Sequence, residues 1–569
     1  MMDRINKYSW ICGKNNPLLP ITPPGILNPE LLISLAPKHI SDKMMNKIST
    51  RRLLLFIGFG LLSQLNNAQE LSSKEIDSVV KKTMETFNVP GIAVGVLKDG
   101  EVIHSEGYGI RSLKSGGKVD ENTLFGVASN TKAVTAAALA QLVDEGKIDW
   151  DSKVTSVIPE FKLYDPYVTN EFTVRDLLTH RSGLGLGAGD LMVFPASNVT
   201  TTDELIHNLR YLKPVSSFRS QYDYDNLLYI VAGEIVARVS GETYEDYVEE
   251  HILEPLNMDR TAMSWHEIED YSNVIDGHAP VDGELVPVGL SFTEAANAAA
   301  GIYSSITDMS KWVQSQLDEG RYGEDLENRL FSEEQHEEMW TPQTIVGTGK
   351  GPYNTHFKAY GLGWFLSDVN GYLQVTHTGG LLGIVSQVTL IPELELGIIV
   401  LTNQQSGAAF NSITHSILDG YFGIEGKDRI NTYNESRLKW EVEGKKVEDK
   451  VWAEVEEQQA AGGCEVELSN FAGTYTDPWF GKVTITEEGD HLRFVAENVS
   501  DLVGDMSYYK GNTFIVKWDD RSLLADAFVI FSLDKQGEAN GFLMEAVSPN
   551  TDFSFDFQDL DFSKEEEKE

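Results

Sequence analysis

Three strand-like runs with very short connections constrain the fold of this chain more than any other feature. The runs are Tyr372–Thr378, Ile384–Ile391 and Leu396–Thr402. Because a parallel crossover needs a dozen or more residues, the runs are predicted to form an antiparallel meander. Earlier in the chain, Gly91–Leu97 and Glu101–Gly107 flank an Asp-Gly turn and predict a β-hairpin. We therefore expect an α+β fold in which one antiparallel sheet, built from both ends of a domain, is flanked by helices.

Several segments around these strands have helical patterns. Ser129–Asp144 is alanine-rich and is closed by Gly146, and Leu227–Val239 is apolar enough for a buried helix. Thr202 is placed to cap a helix that carries leucines on one face. Ser406–Leu418 follows the meander and is predicted to be helical. These helices are expected to cover the sheet.

A change in hydrophobic period marks a second domain. A charged, helix-permissive stretch runs from Lys427 to Gln459, and Gly462-Gly463 ends it. Beyond it the alternating segments are Gly481–Thr486, His491–Ala496, Thr513–Trp518, Ala527–Leu533 and Gly541–Val547. This period of two predicts a small all-β domain of about 100 residues, either a barrel or a sandwich. The acid-rich tail Asp556–Glu569 is expected to fray.

The N-terminal region has the pattern of a secretory signal peptide. Lysines and arginines precede the apolar run Leu53–Leu62, and polar residues with the small Ala68 follow it. The run is too short to span a bilayer as a helix. We expect a periplasmic or secreted protein that has no membrane contact after signal cleavage. The proline-rich stretch before Met44-Met45 indicates either translation from one of those methionines or a disordered extension.

The predicted domain organisation has five parts. Residues 1–43 are a disordered or mis-started extension, 44–69 are the signal peptide, and 70–426 form the domain with the antiparallel sheet. Residues 427–465 are a charged helical linker, and 466–569 are the all-β domain.

The composition excludes several classes of function. Acidic side chains number 87 and basic ones 46, so the net charge is −41 at pH 7 and phosphate backbones repel the protein. The two cysteines, Cys12 and Cys464, cannot build a disulfide framework or a Cys/His zinc cluster. The His-Glu-x-x-His pattern of zinc peptidases fails at Met339. We therefore expect no nucleic-acid partner and no metal or organic cofactor.

A Ser-x-x-Lys pattern at Ser129 and Lys132 is the first candidate for chemistry. Residues three apart share a helix face, so the lysine amine can reach the serine hydroxyl. Burial lowers a lysine pKa, and a neutral amine can accept the serine proton. The pattern alone is weak, because it recurs at Ser78–Lys81, Ser115–Lys118, Ser436–Lys439, Ser507–Lys510 and Ser532–Lys535. Ser129 differs because it opens the long small-residue helix, whereas the structural alternative is a capping serine beside a snorkelling lysine.

A Tyr-x-Asn pattern at Tyr224 and Asn226 precedes the buried helix that follows it. A tyrosine can relay protons, and an asparagine amide can orient a substrate carbonyl. Tyr271-Ser272-Asn273 has the same form but leads into a proline-bearing loop, so it ranks lower. The alternative for either tyrosine is a structural role in the core.

The third candidate element is His377-Thr378-Gly379-Gly380, which ends a predicted strand. Glycines there allow a substrate backbone to approach the sheet edge. The Gly380 N–H is predicted to form an oxyanion hole with the N–H of Ser129, which lies at a helix N-terminus. A lone strand histidine would be structural.

Together these three elements resemble a known set. Ser-x-x-Lys, Tyr-x-Asn and Lys/His-Thr-Gly, in this order, are found in serine β-lactamases and penicillin-binding DD-peptidases. Their spacing is similar to that of the class C β-lactamase branch, which includes esterases and D-aminopeptidases. Four further stretches resemble the same family: Thr173–Leu184, Glu254–Met258, Ala299–Ser304 and Tyr360–Trp364. The resemblance covers roughly residues 72–423, and the all-β domain is similar to the lipocalin-like domains appended to some members.

The resemblance implies a role for each site residue. Ser129 would be the acylated nucleophile, Lys132 its proton acceptor and Tyr224 the group that carries the proton to the leaving group. Asn226 would hold the substrate amide. The sequence leaves open whether Lys132 or Tyr224 is the general base.

The resemblance also implies that His377, Thr378 and Gly379 bind substrate along their strand. His377 stands where many relatives have lysine, and in this it is similar to certain DD-peptidases and D-aminopeptidases. A fixed cation for the substrate carboxylate is then missing unless His377 is protonated.

The sequence therefore predicts an exported serine hydrolase that uses an acyl-enzyme, with water or an amine as the acyl acceptor. A peptidase or amidase for D-amino-acid-like substrates ranks first, an esterase second and a β-lactamase third. The alternative of another class is a non-catalytic penicillin-recognising sensor, which a distant or exposed, salt-bridged Lys132 would favour. The all-β domain is open to three roles, as a ligand-binding module, a lid over the cleft or an oligomer contact.

Overall fold

The computed structural model describes residues 70–196, 200–289, 293–349, 351–464 and 466–566. The predicted extension at 1–43 and the predicted signal peptide at 44–69 lie outside the described residues. None of the helices formed by the described residues is both long enough and apolar enough to cross a membrane.

A nine-stranded antiparallel sheet is the centre of the first domain. Its strands are β1 (Gly91–Lys98), β2 (Glu101–Ser112), β3 (Gly116–Lys118), β4 (Thr344–Val346), β5 (Lys358–Tyr360), β6 (Phe365–Val369), β7 (Tyr372–Leu381), β8 (Ile384–Ile391) and β9 (Leu396–Thr402). The spatial order is β4-β5-β6-β7-β8-β9-β1-β2-β3. The join between β9 and β1, with Val94 opposite Val400, confirms the prediction of one sheet built from both ends of the domain.

Helices cover both faces of this sheet. The long helices are α1 (Ser73–Phe87), α2 (Thr131–Asp144), α3 (Leu227–Ser240), α4 (Ile306–Leu317), α5 (Gly407–Tyr421) and α6 (Arg429–Ala460). Side chains alternate along β1, so Val94 packs into a core with α1 and α5, whereas Ala93 faces the core of α2, α3 and α4. This three-layer arrangement of helices, antiparallel sheet and helices confirms the predicted fold class.

Short elements connect these layers. The short α-helices are Val154–Val157, Pro166–Glu171, Val174–Leu177, Thr202–Asn208, Tyr244–Val248, Asn297–Ala300 and Glu333–Met339. Three small strand pairs are Phe125–Gly126 with Tyr303–Ser304, Gly277–Val281 with Glu284–Val288, and Arg321–Tyr322 with Asn328–Arg329. The prediction of a cap at Thr202 was wrong by one residue, because Thr201 Oγ1 accepts the N–H of Glu204 and Thr202 is already helical.

A closed eight-stranded barrel forms the C-terminal domain, which decides between the two predicted forms. Its strands are β10 (Gly473–Asp477), β11 (Gly481–Glu488), β12 (His491–Ala496), β13 (Val503–Lys510), β14 (Thr513–Trp518), β15 (Ala527–Leu533), β16 (Ala539–Ala546) and β17 (Asp561–Lys564). Buried aromatic rings pack against one another inside it, with Tyr475 contacting Phe531 and Phe542. The barrel interior is therefore filled by side chains.

The expectation that the tail from Asp556 frays was wrong. Asp561–Lys564 is the strand that closes the barrel, and Asp556 is fully buried. The acid count suggested a solvated segment, but the tail also carries Phe557, Leu560 and Phe562, which are all buried. These apolar side chains stabilise the tail against the core more than the acidic residues oppose it.

The helix α6 contacts both domains. At its start, Arg429 makes a buried bidentate ion pair with Asp419 of α5 (2.6 Å for each hydrogen bond). Near its end, Glu454 accepts hydrogen bonds from Tyr509 and Lys510 of β13. The charged stretch predicted as a helical linker therefore packs against both of its neighbours.

The buried side chain of Asn403 fastens the join between the two halves of the sheet. Its Oδ1 accepts the Gly91 N–H (2.7 Å), and its Nδ2 donates to the carbonyls of Ile110 and Arg111 (3.0 and 2.9 Å). Each buried polar group that loses its partner costs ~1–3 kcal/mol.

We expect Asn403→Ala to lower the free energy of unfolding by about 2–3 kcal/mol, because the buried N–H of β1 and the two carbonyls of β2 lose their hydrogen-bond partner. Urea denaturation followed by circular dichroism measures this. Asn170→Ala, at an exposed asparagine, serves as the control and should change stability by less than about 0.5 kcal/mol. Equal effects of the two substitutions would contradict the proposed role of Asn403.

Candidate active site

A strained turn presents Ser129. The helix predicted to open at Ser129 begins at Thr131, and Ala128–Asn130 form a short 3-10 turn before it. Ala128 has a φ of +50°, in the left-handed region that residues with a Cβ rarely adopt. Ser129 is only partly buried. The turn therefore leaves Ser129 partly exposed at the start of α2.

Hydrogen bonds to the sheet hold this turn in place. Ser386 of β8 donates from its Oγ to the Val127 carbonyl (2.7 Å) and accepts from Asn130 Nδ2 (2.8 Å). All three residues are buried. Because the turn is tied to a central strand, the position of Ser129 is fixed relative to the neighbouring strand β7.

The amine of Lys132 is buried among three oxygen atoms. The side chain is fully buried, and Nζ lies 3.1 Å from Ser129 Oγ, 2.7 Å from Asn226 Oδ1 and 3.0 Å from the Ala299 carbonyl. A neutral amine can donate two hydrogens to Asn226 and Ala299 and still have a lone pair. That lone pair can then accept the proton of the Ser129 hydroxyl.

Burial lowers the pKa of Lys132 to about 7, although the carboxyl groups of Asp190 and Asp225 oppose this change. His180 and His377 are also near the amine, and burial lowers the pKa of both imidazoles. A substantial share of the Lys132 side chains is therefore neutral near pH 7.

Tyr224 contacts both the nucleophile and the lysine. Its phenol interacts with the Ser129 side chain, its ring centroid is 4.9 Å from Lys132 Nζ, and its ring packs 4.2 Å from that of His180. Burial raises the pKa of Tyr224 well above its ordinary value. The Tyr224 side chain is therefore a protonated phenol near neutral pH, suited to donate a proton.

The structure does not bring the rival Tyr271-Ser272-Asn273 to this site. The Tyr271 ring is 47% exposed and its hydroxyl donates to the Trp265 carbonyl. Asn273 instead binds Asp120 and Thr123. The lower rank given to this motif agrees with its position.

Strand β7 passes the Ser129 turn at the predicted glycines. A Cβ on Gly379 would lie 2.2 Å from the Val127 carbonyl oxygen, so a larger residue cannot fit there. Thr378 and Gly380 are exposed on either side of it. The close approach brings the Gly380 backbone towards Ser129, and the pairing of their N–H groups as an oxyanion hole stays a prediction.

The His377 side chain packs beneath this edge. It is 1% exposed, and the two ring nitrogens contact the Tyr360 hydroxyl (3.0 Å) and the Thr378 carbonyl (2.7 Å). Since a carbonyl only accepts, Nδ1 carries the hydrogen and Nε2 accepts from Tyr360. Burial lowers the pKa of His377 to about 3, so the imidazole is neutral at physiological pH and provides no cation.

Two buried acids that the motifs did not single out support the site. Asp190 accepts from Asn226 Nδ2 (2.8 Å), and Asp225 accepts the backbone N–H of Leu228 at the start of α3. Asp225 is the middle residue of Tyr-x-Asn and directly precedes Asn226, the N-cap residue of α3. Asp190 follows the glycine-rich loop at residues 183–189, and no pattern in that loop pointed to it.

Two family models match the chain. The model described as Beta-lactamase covers residues 76–421. The model described as a domain of unknown function (DUF3471) covers residues 458–564, which include the barrel.

Curated relatives are distant. An unguisins hydrolase of Aspergillus violaceofuscus is 28% identical over 376 residues, which are 63% of this chain and 66% of that protein. Protein flp of Staphylococcus aureus strain MW2 is 25% identical over 352 residues, which are 59% of this chain and 64% of that protein. The chain thus spans about two thirds of the length of these relatives.

Solved structures share the fold. The octameric penicillin-binding protein homologue from Pyrococcus abyssi has a TM-score of 0.56 at 22% identity, over 87% of this chain and 100% of that one. A mutant class C β-lactamase has a TM-score of 0.50 at 22% identity, over 60% and 96% respectively. At this identity the likeness establishes the architecture alone, and it agrees with the family expected from the motifs.

Gly379→Ala should destabilise the protein and displace the Ser129 turn, because the added methyl group overlaps the Val127 carbonyl. We expect a loss of about 2–3 kcal/mol in thermal or urea denaturation. The matched control is Gly380→Ala in the same strand, where a Cβ meets nothing within 4 Å. Equal stability of the two variants would contradict the close approach of β7 to the turn.

Proposed function

Because the chain belongs to the Beta-lactamase family, we propose that it is an exported serine hydrolase that forms an acyl-enzyme at Ser129. The observation that carries the proposal is the fully buried Lys132 amine, 3.1 Å from Ser129 Oγ. A sensor without turnover has no need for a lysine held in this way. Neither a distant nor an exposed, salt-bridged Lys132 is found, so the geometry favours an enzyme over the binding-protein alternative.

Acylation would begin with proton transfer from the Ser129 hydroxyl to the neutral Lys132 amine. Oγ attacks the substrate carbonyl carbon, the new C–O bond forms, and the π electron pair moves to the carbonyl oxygen. The N–H groups of Ser129 and Gly380 would stabilise that oxyanion. On collapse, the leaving amine or alcohol takes a proton from the Tyr224 phenol, and Tyr224 regains one from the Lys132 ammonium.

Deacylation would use the same groups. Water, or an amine as second acceptor, attacks the ester carbonyl of the acyl-enzyme and gives up its proton to Lys132. Ser129 Oγ leaves and regains a proton from the Lys132 ammonium, which restores the starting state. The low pKa of Lys132 and the high pKa of Tyr224 support Lys132 as the base and Tyr224 as the acid.

For the substrate, we favour D-amino-acid-like peptides and small amides, with esters second. A neutral, buried His377 offers no cation for a carboxylate, which places β-lactams third. The name of the Aspergillus relative, an unguisins hydrolase, supports hydrolysis as the reaction class.

The signal-peptide pattern before residue 70 supports export, so a periplasmic or secreted location is part of the proposal. The intact mass of the protein recovered from the periplasm or medium tests this location, because it shows whether the signal peptide has been removed. Self-association is a further part, supported by the octameric Pyrococcus abyssi homologue and tested by native mass.

A fluorophosphonate should add once to the protein and not at all to Ser129→Ala, measured by intact mass. The labelling rate should rise with pH through a midpoint near the Lys132 pKa of about 7, because only the deprotonated amine accepts the serine proton. Lys132→Met should slow labelling by about 100-fold or more.

The matched controls for this labelling are Ser507→Ala and Lys510→Met, from a second Ser-x-x-Lys whose lysine is exposed and paired with Glu454. Both should label like the wild type. Labelling that persists in Ser129→Ala would contradict the assignment of the nucleophile.

D-Amino-acid amides should be hydrolysed with kcat/KM at least about tenfold above their L-enantiomers. Peptides that end in a free carboxylate should show no advantage over the same peptides ending in an amide. The reason is that a neutral His377 lacks the charge-assisted hydrogen bond that would be worth ~1.5–3 kcal/mol. A tenfold preference for the free carboxylate, or for L-amides, would contradict this substrate class.

A further inference from the structure

One segment of the barrel reaches the active-site region of the first domain. The strap, residues 547–560, connects β16 to β17. Its buried Asp556 carboxyl group accepts the N–H of Gly189 (2.6 Å) and of Leu191 (3.1 Å). Both amides belong to the loop that carries Asp190. The strap thus holds this loop on both sides of Asp190.

The strap also contacts Asp190 directly. Ser554 Oγ donates to Asp190 Oδ2 (3.0 Å), the same oxygen that accepts from Asn226 Nδ2. Since the Asn226 amide nitrogen faces Asp190, its Oδ1 faces Lys132 Nζ (2.7 Å). If the amide turned over, its NH2 would face the amine, and two donors would meet. A chain of hydrogen bonds therefore runs from the barrel to Lys132.

Phe553 of the strap forms part of the wall around Tyr224. The two rings meet edge-to-face with centroids 5.8 Å apart, and Phe553 remains 40% exposed. The glycine-rich loop packs closely here, since a Cβ on Gly187 would lie 2.6 Å from the Phe553 carbonyl oxygen. Tyr224 is the proposed proton donor to the leaving group, so Phe553 lies on the leaving-group side.

We propose that the strap is a working part of the active site. Ser554 and Asp556 are positioning residues: they hold Asp190, which in turn orients Asn226 and Lys132. Phe553 limits the size of the leaving group. This inference rests on the proposed function. It also assigns a role to the barrel, whose aromatic-filled interior argues against a ligand cup.

The first test compares Ser554→Ala with Ser554→Thr, which keeps the hydroxyl. Loss of the hydrogen bond should reduce kcat about fivefold or more with little change in KM, and the threonine should restore it. The control is Leu543→Ala, at an exposed barrel residue outside the strap. The melting temperatures of the Ser554 variants should differ from that of the wild type by no more than the melting temperature of Leu543→Ala does.

The pH profile separates positioning from a merely structural role. Burial raises the pKa of Asp190 well above its ordinary value, and the Ser554 hydrogen bond opposes this change by favouring the carboxylate form. The charge of that carboxylate in turn favours the ammonium form of Lys132. The other titratable groups near the amine are Asp225, His180, His377, Tyr224 and Tyr229, and Asp556 faces Asp190. Ser554→Ala should therefore shift the rising limb of the profile to lower pH.

Two further variants test the other parts of the strap. Asp556→Asn should speed hydrogen–deuterium exchange in the peptide covering residues 184–194, because its hold on two backbone amides weakens. Phe553→Ala should raise the kcat/KM ratio of naphthyl to methyl esters by about tenfold. An unchanged ratio would overturn the assignment of Phe553 as a wall.

The outcomes separate the two proposals. Suppose that a fluorophosphonate labels the wild type, while the Ser554 and Asp556 variants keep the wild-type kcat, pH profile and hydrogen–deuterium exchange. This result would overturn the role proposed for the strap and leave the hydrolase proposal standing. A wild type that no fluorophosphonate labels would overturn the hydrolase proposal and, with it, the positioning role. Asp556→Asn could show faster exchange while Ser554→Ala keeps the wild-type kinetics. The strap would then be a structural contact only, and this result would also overturn the positioning role.

Discussion

The burial of one amine determines how the surrounding elements are arranged. The Lys132 side chain is fully buried. A buried amine without hydrogen-bond partners would lower the stability of the fold by several kcal/mol. Its three oxygen partners come from Ser129, Asn226 and Ala299, in separate parts of the chain. These parts must therefore converge on the amine if the fold is to be stable. The same convergence lowers the lysine pKa and brings the amine to the serine.

The sheet provides the rigid support for this convergence. Its central strands come from both ends of the domain, and β8 ties down the Ser129 turn through Ser386. The left-handed Ala128 and the tight passage of Gly379 are tolerated because the packing around them is fixed. Conformational strain is thus concentrated at the place where the nucleophile is presented.

Much of the fold and of the site could be predicted from the sequence because the signals were local. The meander, the hairpin and α3 follow from hydrophobic period and turn residues, and the barrel from the change of period. Motif order singled out Ser129, Lys132, Tyr224 and Asn226 as partners. The structure brings these four together, while their catalytic roles stay predictions.

The parts that escaped prediction depend on long-range contacts. A single carboxylate such as Asp190 or Asp556 has no sequence pattern, and the partners of each come from the other domain or a distant loop. The acid count of the tail hid its buried aromatic residues. The neutral state of His377 follows from burial, which a strand pattern does not reveal.

The most direct test of this account is the ionisation of the Lys132 amine itself. Protein labelled with 15N at the lysine ζ position can be followed by NMR, and Lys132→Arg identifies the resonance that disappears. We predict that Nζ titrates with a pKa of about 7. An amine that keeps its proton to pH 10 would contradict the claim that burial prepares Lys132 as the base for Ser129.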